Sequence, residues 1–529
     1  MAEFFKSFFS GMQPQRVFLI VFCSVLLIKF WFAATLPMTG DEALFYWWAQ
    51  RPSLGYYDHP PMIGWLLAVS AQISNEVLWL RVWSVLIPFA VAVGIVDLSH
   101  RLNPQQRFKG WAGGIFYLTL PITWIGVPIT NDTPLILFVF LSGYCFIRAE
   151  LIVAPDTKNE RNQHRRLGWY LGAGAFLGLG FLSKYLVVMQ AISYAVILLR
   201  PKSWGGFGVQ HALRMTSLLF LASSPAIALN IVYNSTHCWN NVMFNFINRH
   251  EGAEIGFSNT GLYLITITYL LTPWAIWRLS KNKISSWRES SGLVLLALAP
   301  LIFFLFLSLF KRVGLHWLLS FLPFFALLIT TQFAADKVNR LIVFNAVFSC
   351  LHIVIVIALL FPPFLLIEKS SLAKGFYFLK DAPHLSKEAL RGAPSHTVLM
   401  AEGYSPAAVL GYHSRQYVPV FGQGSRYARE DDTRVDFSSY HGSSIRIFLR
   451  KEPDLTEFKP FFEEVDSFLI RVEDRLYWVV SGNGFNFYRY REQVLRRIAD
   501  RYYRIPAGLP MYSCNFLSKY RFLIDDRQR

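Results

Sequence analysis

Two acid-bearing pairs lie within one short stretch, Thr39 to Pro61, which reads TGDEALFYWWAQRPSLGYYDHPP. The first is Asp41-Glu42 and the second Asp58-His59. A carboxylate held at a surface orients a hydroxyl and takes its proton. An Asp-His pair can meet a phosphate, carry a proton or ligate a metal. Each pair also has a plainer explanation. Thr39-Gly40-Asp41-Glu42 fits a capping box, with Thr39 as N-cap and Glu42 reaching back from the third helical position. That accounts for Glu42 well and for Asp41 only in part, since acids are favoured at a helix start anyway. Tyr56-Tyr57-Asp58-His59-Pro60-Pro61 fits an interfacial turn with aromatic anchors, which explains the tyrosines but not the pair. The double proline stiffens the chain and pushes His59 toward an extended conformation.

Further groups of this kind follow along the chain. Asn131-Asp132 suits a tight turn, and Lys184, which ends the run GLGLGFLSKY, suits a snorkelling lysine. The stretch 234–260 holds Trp239, Arg249, His250 and Glu251, and Lys311-Arg312 precedes His316-Trp317. Taken singly, each has a structural use. Taken together, they set cations and acids on one side of a membrane, near the carboxylate loop. That combination suits a lipid phosphate leaving group beside an acidic catalytic residue.

The elements that must position these groups are mostly membrane spans. The 529 residues are 53% apolar and only 16% charged, too apolar for a soluble protein of this size. Apolar runs long enough to span fall at 17–37, 78–98, 111–129, 133–150, 168–183, 185–201, 215–233, 261–277, 292–310, 316–333 and 341–361. The pattern predicts a polytopic α-helical membrane protein with about 11 transmembrane helices, or 13, since several runs are short or polar at one end. With the amino terminus inside, the short inner loops 99–110, 151–167, 201–214, 278–291 and 334–340 hold most of the loop lysines and arginines, as orientation in a membrane requires. The net charge of +17 is thus explained by topology, and nucleic acid is excluded as a partner. Residues 1–361 form the membrane domain and its first outer loop, 38–77, carries both acid pairs, with one or two short interfacial helices. No cleavage site precedes the acidic motif, so the first run is expected to stay as an anchor.

From 362 to 529 the character changes to that of a soluble α/β domain on the outer side, with strands expected at 444–449 and 468–472 and helices at 404–412 and 491–503. Cys23, Cys145 and Cys350 lie in apolar runs. Cys238 and Cys514 both fall on the outer side, where an oxidising compartment permits pairing. No repeat is visible.

The segments DEALFYWWAQRPSLGYYDHPPMIGWL, NDTPLIL, GLGLGFLSKY, WNNVMFNFINR and LHWLLSFLPF occur in the order seen in bacterial relatives of dolichyl-phosphate-mannose protein mannosyltransferases, a superfamily that includes the lipid A aminoarabinose transferase. The chain resembles that superfamily over roughly residues 17–335, and AEGYSPAAVLGYH followed by GSRYARED is similar to its soluble tail. The resemblance implies GT-C architecture and a glycosyltransferase using a polyprenyl-phosphate sugar on the extracytoplasmic face of the inner membrane. It implies catalytic carboxylates at Asp41 and Glu42. The donor phosphate would lie against Tyr57, Asp58, His59, Asp132, Lys184, Arg249 and His316. The aminoarabinose branch has Glu-Lys before the double proline where this chain has Asp58-His59, which argues against carrying aminoarabinose over as the sugar. A divalent metal remains one option for a cofactor, with Asp58, His59 and His250 as its candidate ligands. The acceptor is lipid A, another surface glycan or a protein. The rival class is a transporter or flippase of lipid-linked sugars. Such a protein keeps its ionisable groups near the midplane, often within inverted repeats, whereas here the acids lie outside the spans. The catalytic motifs all precede residue 320, so the tail is expected to shape acceptor access without an essential acid.

Overall fold

The computed structural model describes residues 12–151, 160–201, 203, 206, 208–250, 255–281, 291–360, 371–424, 429–506 and 508–522. The chain divides into two compact units. The first comprises Met1–Leu36, Ser74–Ala228 and Gly252–Pro362; the second comprises Pro37–Ile73, Leu229–Glu251 and Pro363–Arg529. Two segments that precede residue 362 thus group with the residues from Pro363 onward.

The first unit is helical. Among the described residues six helices are long and apolar enough to cross a membrane, from Pro14–Thr35 to Ala335–Ala358, and a bent pair, Phe257–Leu271 with Pro273–Ser280, makes a seventh if it is counted as one span. Each of the 11 apolar runs contains a helix, yet two of them break. The run at 111–129 stops at Leu118 and restarts at Pro121, as a proline at the first helical position favours. The run at 261–277 turns through 94° at Thr272, which has φ 65° and precedes Pro273; proline disfavours helical backbone in the residue before it. Buried cations tie the pieces. Lys29, wholly buried, donates to the carbonyls of Thr123 and Gly126 at 2.9 and 2.8 Å. Arg81, also buried, donates to Ala33 O and Leu36 O at the carboxyl end of the first helix, where a cation complements the helix dipole.

The second unit joins a four-stranded sheet to the acid-bearing loop. Its strands are β1 (Val398–Ala401), β2 (Ile445–Leu449), β3 (Glu464–Val472) and β4 (Arg475–Asn483), in the order β1-β2-β4-β3. β1 runs parallel to β2, while β2–β4 and the β3–β4 hairpin are antiparallel. The predicted strands at 444–449 and 468–472 correspond to β2 and the end of β3. The helices that matter for the site are α1 (Gly40–Gln50), α2 (Met62–Ile73) and α3 (Tyr404–Ser414). A core of Phe421, Phe437, Phe462, Phe485 and Tyr490 fills the unit, and Tyr57 and Phe244 from the other two segments pack into the same cluster. Cys238 and Cys514 are joined by a disulfide. Beside it, Tyr512 N–H donates to Ser235 O at 2.9 Å and Trp239 Nε1–H to Pro510 O at 2.9 Å.

Candidate active site

The loop of the second unit is built around α1. Its capping box is complete. Thr39 N–H and Thr39 Oγ1–H donate to Glu42 Oε2 at 3.1 and 3.0 Å, and Glu42 N–H donates to Thr39 Oγ1 at 3.4 Å. Glu42 is buried and engaged in that box, so the two adjacent acids separate by environment. Asp41 stands outside the box and retains accessible surface. Its carboxylate accepts Tyr404 Oη–H from α3 at 3.1 Å. Surrounding atoms strip hydration from Asp41 and raise its pKa above the usual carboxylate range; the Tyr404 hydrogen bond opposes this and the Glu42 charge adds to it.

α3 lies directly on α1. A Cβ at Gly40 would sit 1.9 Å from Ser405 Oγ, so only glycine allows the helices to approach this closely. Tyr46 meets Tyr412 edge to face with ring centroids 5.0 Å apart, and Trp47 Nε1–H reaches Ala408 O at 3.4 Å. The tail segment AEGYSPAAVLGYH is thus the surface that holds the acidic helix and supplies the hydroxyl on Asp41.

The Tyr56–Pro61 turn is fixed atom by atom. Tyr56 stacks on Trp48 with centroids 4.3 Å apart and rings 3° from parallel, and its hydroxyl donates to Trp48 O at 3.1 Å. Tyr56 N–H donates to His59 O at 3.0 Å, and the His59 ring meets Trp48 edge-on at 6.0 Å. Asn241 Nδ2–H donates to Tyr56 O at 3.0 Å and Asn245 Nδ2–H to Asp58 O at 2.9 Å. These asparagines stand four residues apart around a π-helical turn, Met243–Ile247, so both reach the same turn. Tyr57 and Asp58 are buried and His59 is half-buried. Arg249 is half-buried on the short 3₁₀ turn Asn248–His250 that follows. The His250 side chain lies outside the described residues. Among the described residues no group of three or more His, Cys, Asp or Glu gathers to hold a metal ion.

The other candidates converge in the first unit. Lys184 Nζ donates to both oxygens of Asp132 at 2.8 Å, with both residues buried. His316 Nε2 is 3.9 Å from the same carboxylate and half exposed. Trp317 lies under two ammonium groups, Lys311 at 5.0 Å and Lys184 at 6.0 Å from its ring centroid. A cavity of about 260 Å³ opens beside Asp132, lined also by Lys29, Tyr117, Thr130 and His316. Three residues picked out separately along the sequence are therefore one buried ion pair with a histidine beside it.

Sequence reasoning passed over Tyr404, Asn241, Asn245 and Lys29. The signals were present: a lysine inside an apolar run, and asparagines at helical spacing within WNNVMFNFINR. Tyr404 had no local signal.

The model of the dolichyl-phosphate-mannose-protein mannosyltransferase family matches residues 58–228. A lipid A galacturonosyltransferase, RgtD of Rhizobium johnstonii, is 26% identical over 284 residues, 51% of this chain and 56% of its own. The chain thus spans little more than half the length of that relative. The fold matches ArnT from Cupriavidus metallidurans. The apo crystal structure gives a TM-score of 0.62 at 14% identity, covering 88% of this chain and 98% of that one. The structure bound to undecaprenyl phosphate gives 0.59 at 14% identity, covering 87% and 97%. The sequence matches lie in the membrane half, and the likeness to the two crystal structures shows a shared fold over most of the chain.

Proposed function

We propose that the protein is an integral-membrane glycosyltransferase that moves a sugar, with inversion, from a polyprenyl-phosphate donor to an acceptor outside the cytoplasm. Lipid A, a related surface glycan or a protein is the acceptor class. The observation that carries this reading is the division of labour at the start of α1. Thr39 and Glu42 complete the capping box between them, so Asp41 is not needed for it, and its raised pKa makes it a better proton acceptor than an ordinary carboxylate. The acceptor oxygen attacks the anomeric carbon while the bond from that carbon to the phosphate oxygen breaks. The acceptor hydroxyl proton passes to Asp41, and polyprenyl phosphate leaves. Where the acceptor is itself a phosphate, no proton moves and Asp41 only orients it.

Negative charge grows on the leaving phosphate, and stabilising such charge is often the largest catalytic contribution. Tyr57, Asp58, His59 and Arg249 are assigned to the donor in the second unit, with His59 and Arg249 as the cations. Asp132, Lys184 and His316 keep the donor-binding role that the family resemblance gives them. The protein sits in the inner membrane as a multi-pass chain with the loop and tail outside, on the strength of the loop charge bias. The broken and bent helices would equally suit a transporter, but the mannosyltransferase family match over residues 58–228 and the similarity to a galacturonosyltransferase support the enzyme.

Binding of undecaprenyl phosphate to the detergent-purified chain tests the donor assignment. His59→Ala weakens it and His59→Lys, which keeps a cation, binds more tightly than the alanine variant. Equal affinity in wild type, alanine and lysine variants removes His59 from the donor site.

A further inference from the structure

The tail motif that ends in Arg429-Glu430-Asp431 leads into a short turn ending at Arg434. We propose that Glu430 and Arg434 act as positioning residues, one buried ion pair that sets both acid-bearing parts of the loop at once. This rests on the reading that the Asp58-His59 turn meets the donor phosphate.

The two side chains are almost fully enclosed and paired, Arg434 Nε–H to Glu430 Oε1 at 3.0 Å. Each partner also reaches the loop. Glu430 Oε2 accepts Tyr57 N–H at 3.1 Å, which fixes the residue before Asp58. Arg434 Nη1–H donates to Trp47 O at 2.8 Å, one of the last four carbonyls of α1, which have no partner within the helix. Thr433 Oγ1–H donates back to Glu430 Oε1 at 3.2 Å, and the Arg434 guanidinium lies 5.8 Å from the Tyr417 ring centroid. Tyr417 in turn meets Trp47 edge to face at 5.4 Å.

A merely structural ion pair has no reason to spend one partner on each end of the same loop. Here the cation closes the carboxyl end of α1, whose amino end carries Asp41, and the anion holds the turn that carries His59. A side chain in the tail thereby fixes the spacing between the proposed acid and the proposed phosphate contact. Misplacement by about 1 Å costs roughly a hundredfold in rate, so a two-point clamp of this kind has a use. Glu430 is then a carboxylate beyond residue 362 that the reaction depends on, through Tyr57 and not through contact with substrate.

The test uses the full chain in detergent and compares Glu430→Ala, Glu430→Gln, Arg434→Ala and His59→Ala. Asp381→Asn serves as control, since Asp381 pairs with Arg475 at 2.7 Å elsewhere in the tail. Two quantities are read: hydrogen exchange of the peptide covering residues 53–61, and affinity for undecaprenyl phosphate. Expected are faster exchange in Glu430→Ala and an affinity reduced roughly tenfold, the usual consequence of one lost buried partner. Glu430→Gln, which still accepts from Tyr57 N–H, recovers most of both. Asp381→Asn lowers the melting temperature without moving either. Unchanged exchange in Glu430→Ala overturns the clamp. If His59→Ala loses affinity and Glu430→Ala does not, the positioning role fails while the donor site stands; if neither loses affinity, the donor-site reading falls and takes the inference with it.

Discussion

The sharpest consequence of the site concerns adjacent residues. Asp41→Asn keeps the size of the side chain and an acceptor for Tyr404, and it removes a charge that burial disfavours. A hydrogen bond to a charged acceptor contributes about 1.5–3 kcal/mol and one to a neutral acceptor about 0.5–1.5. The loss is offset by relief of desolvation, so folding stability should move by about 1 kcal/mol or less. Turnover should fall by about 10²–10⁴, the usual contribution of a general base. Glu42→Ala should do the reverse. It removes both bonds from Thr39 to Glu42 Oε2 and costs about 1 kcal/mol through loss of the cap, while the folded fraction keeps turning over. The assay is release of polyprenyl phosphate by purified protein given a polyprenyl-phosphate sugar and a hydroxyl acceptor, alongside melting curves. The pH profile gives a second reading. A base works only when deprotonated, so activity is lost as pH falls through the pKa of Asp41 in the folded protein. That pKa is raised, so the acid limb lies above an ordinary aspartate's and is absent in Asp41→Asn. Normal turnover in Asp41→Asn, or a dead but well-folded Glu42→Ala, refutes the assignment.

Two further outcomes follow from buried pairs. Lys184→Met leaves the Asp132 carboxylate buried without its bidentate partner and should cost about 3–5 kcal/mol; adding Asp132→Leu should restore thermal stability but not undecaprenyl phosphate affinity, and recovery of both would exclude the pair from donor binding. Cys238→Ser with Cys514→Ser opens a link between residues 276 apart, for which the chain-entropy model gives up to about 5 kcal/mol; an unchanged melting temperature under reducing and oxidising conditions would show that the link carries no stability.

Local chemistry was legible. The capping box at Thr39 and Glu42, the helix at Tyr404, the strand at Ile445–Leu449 and the apolar runs all announce themselves through spacing within a few residues. The identities of Asp132, Lys184 and His316 were legible too, but their meeting was not, because it depends on helices separated by 52 and more residues in sequence. The clamp shows the limit more plainly. Glu430 reaches Tyr57 across 373 positions, and nothing in the periodicity of either segment records it. The helix breaks were misjudged for another reason. Hydropathy runs unbroken through Thr119–Leu120 and Thr272, while the backbone there answers to Pro121 and Pro273.

The second unit is assembled from residues 37–73, 229–251 and 363–529, and this imposes an order on its biogenesis. The acid-bearing loop emerges early, yet Tyr404, Glu430, Arg434 and Cys514 are made last. At about 5–20 residues per second of synthesis, α1 and the Tyr56–Pro61 turn wait for roughly 20 seconds or more without the helix and ion pair that hold them. During that interval Tyr46, Trp47 and Tyr57 have no tail to pack against, and Cys238 has no Cys514. The nascent chain therefore exposes its most aromatic segment while half of its fold is still unmade, and premature termination after the last apolar helix would leave a fully inserted chain with an unformed active site.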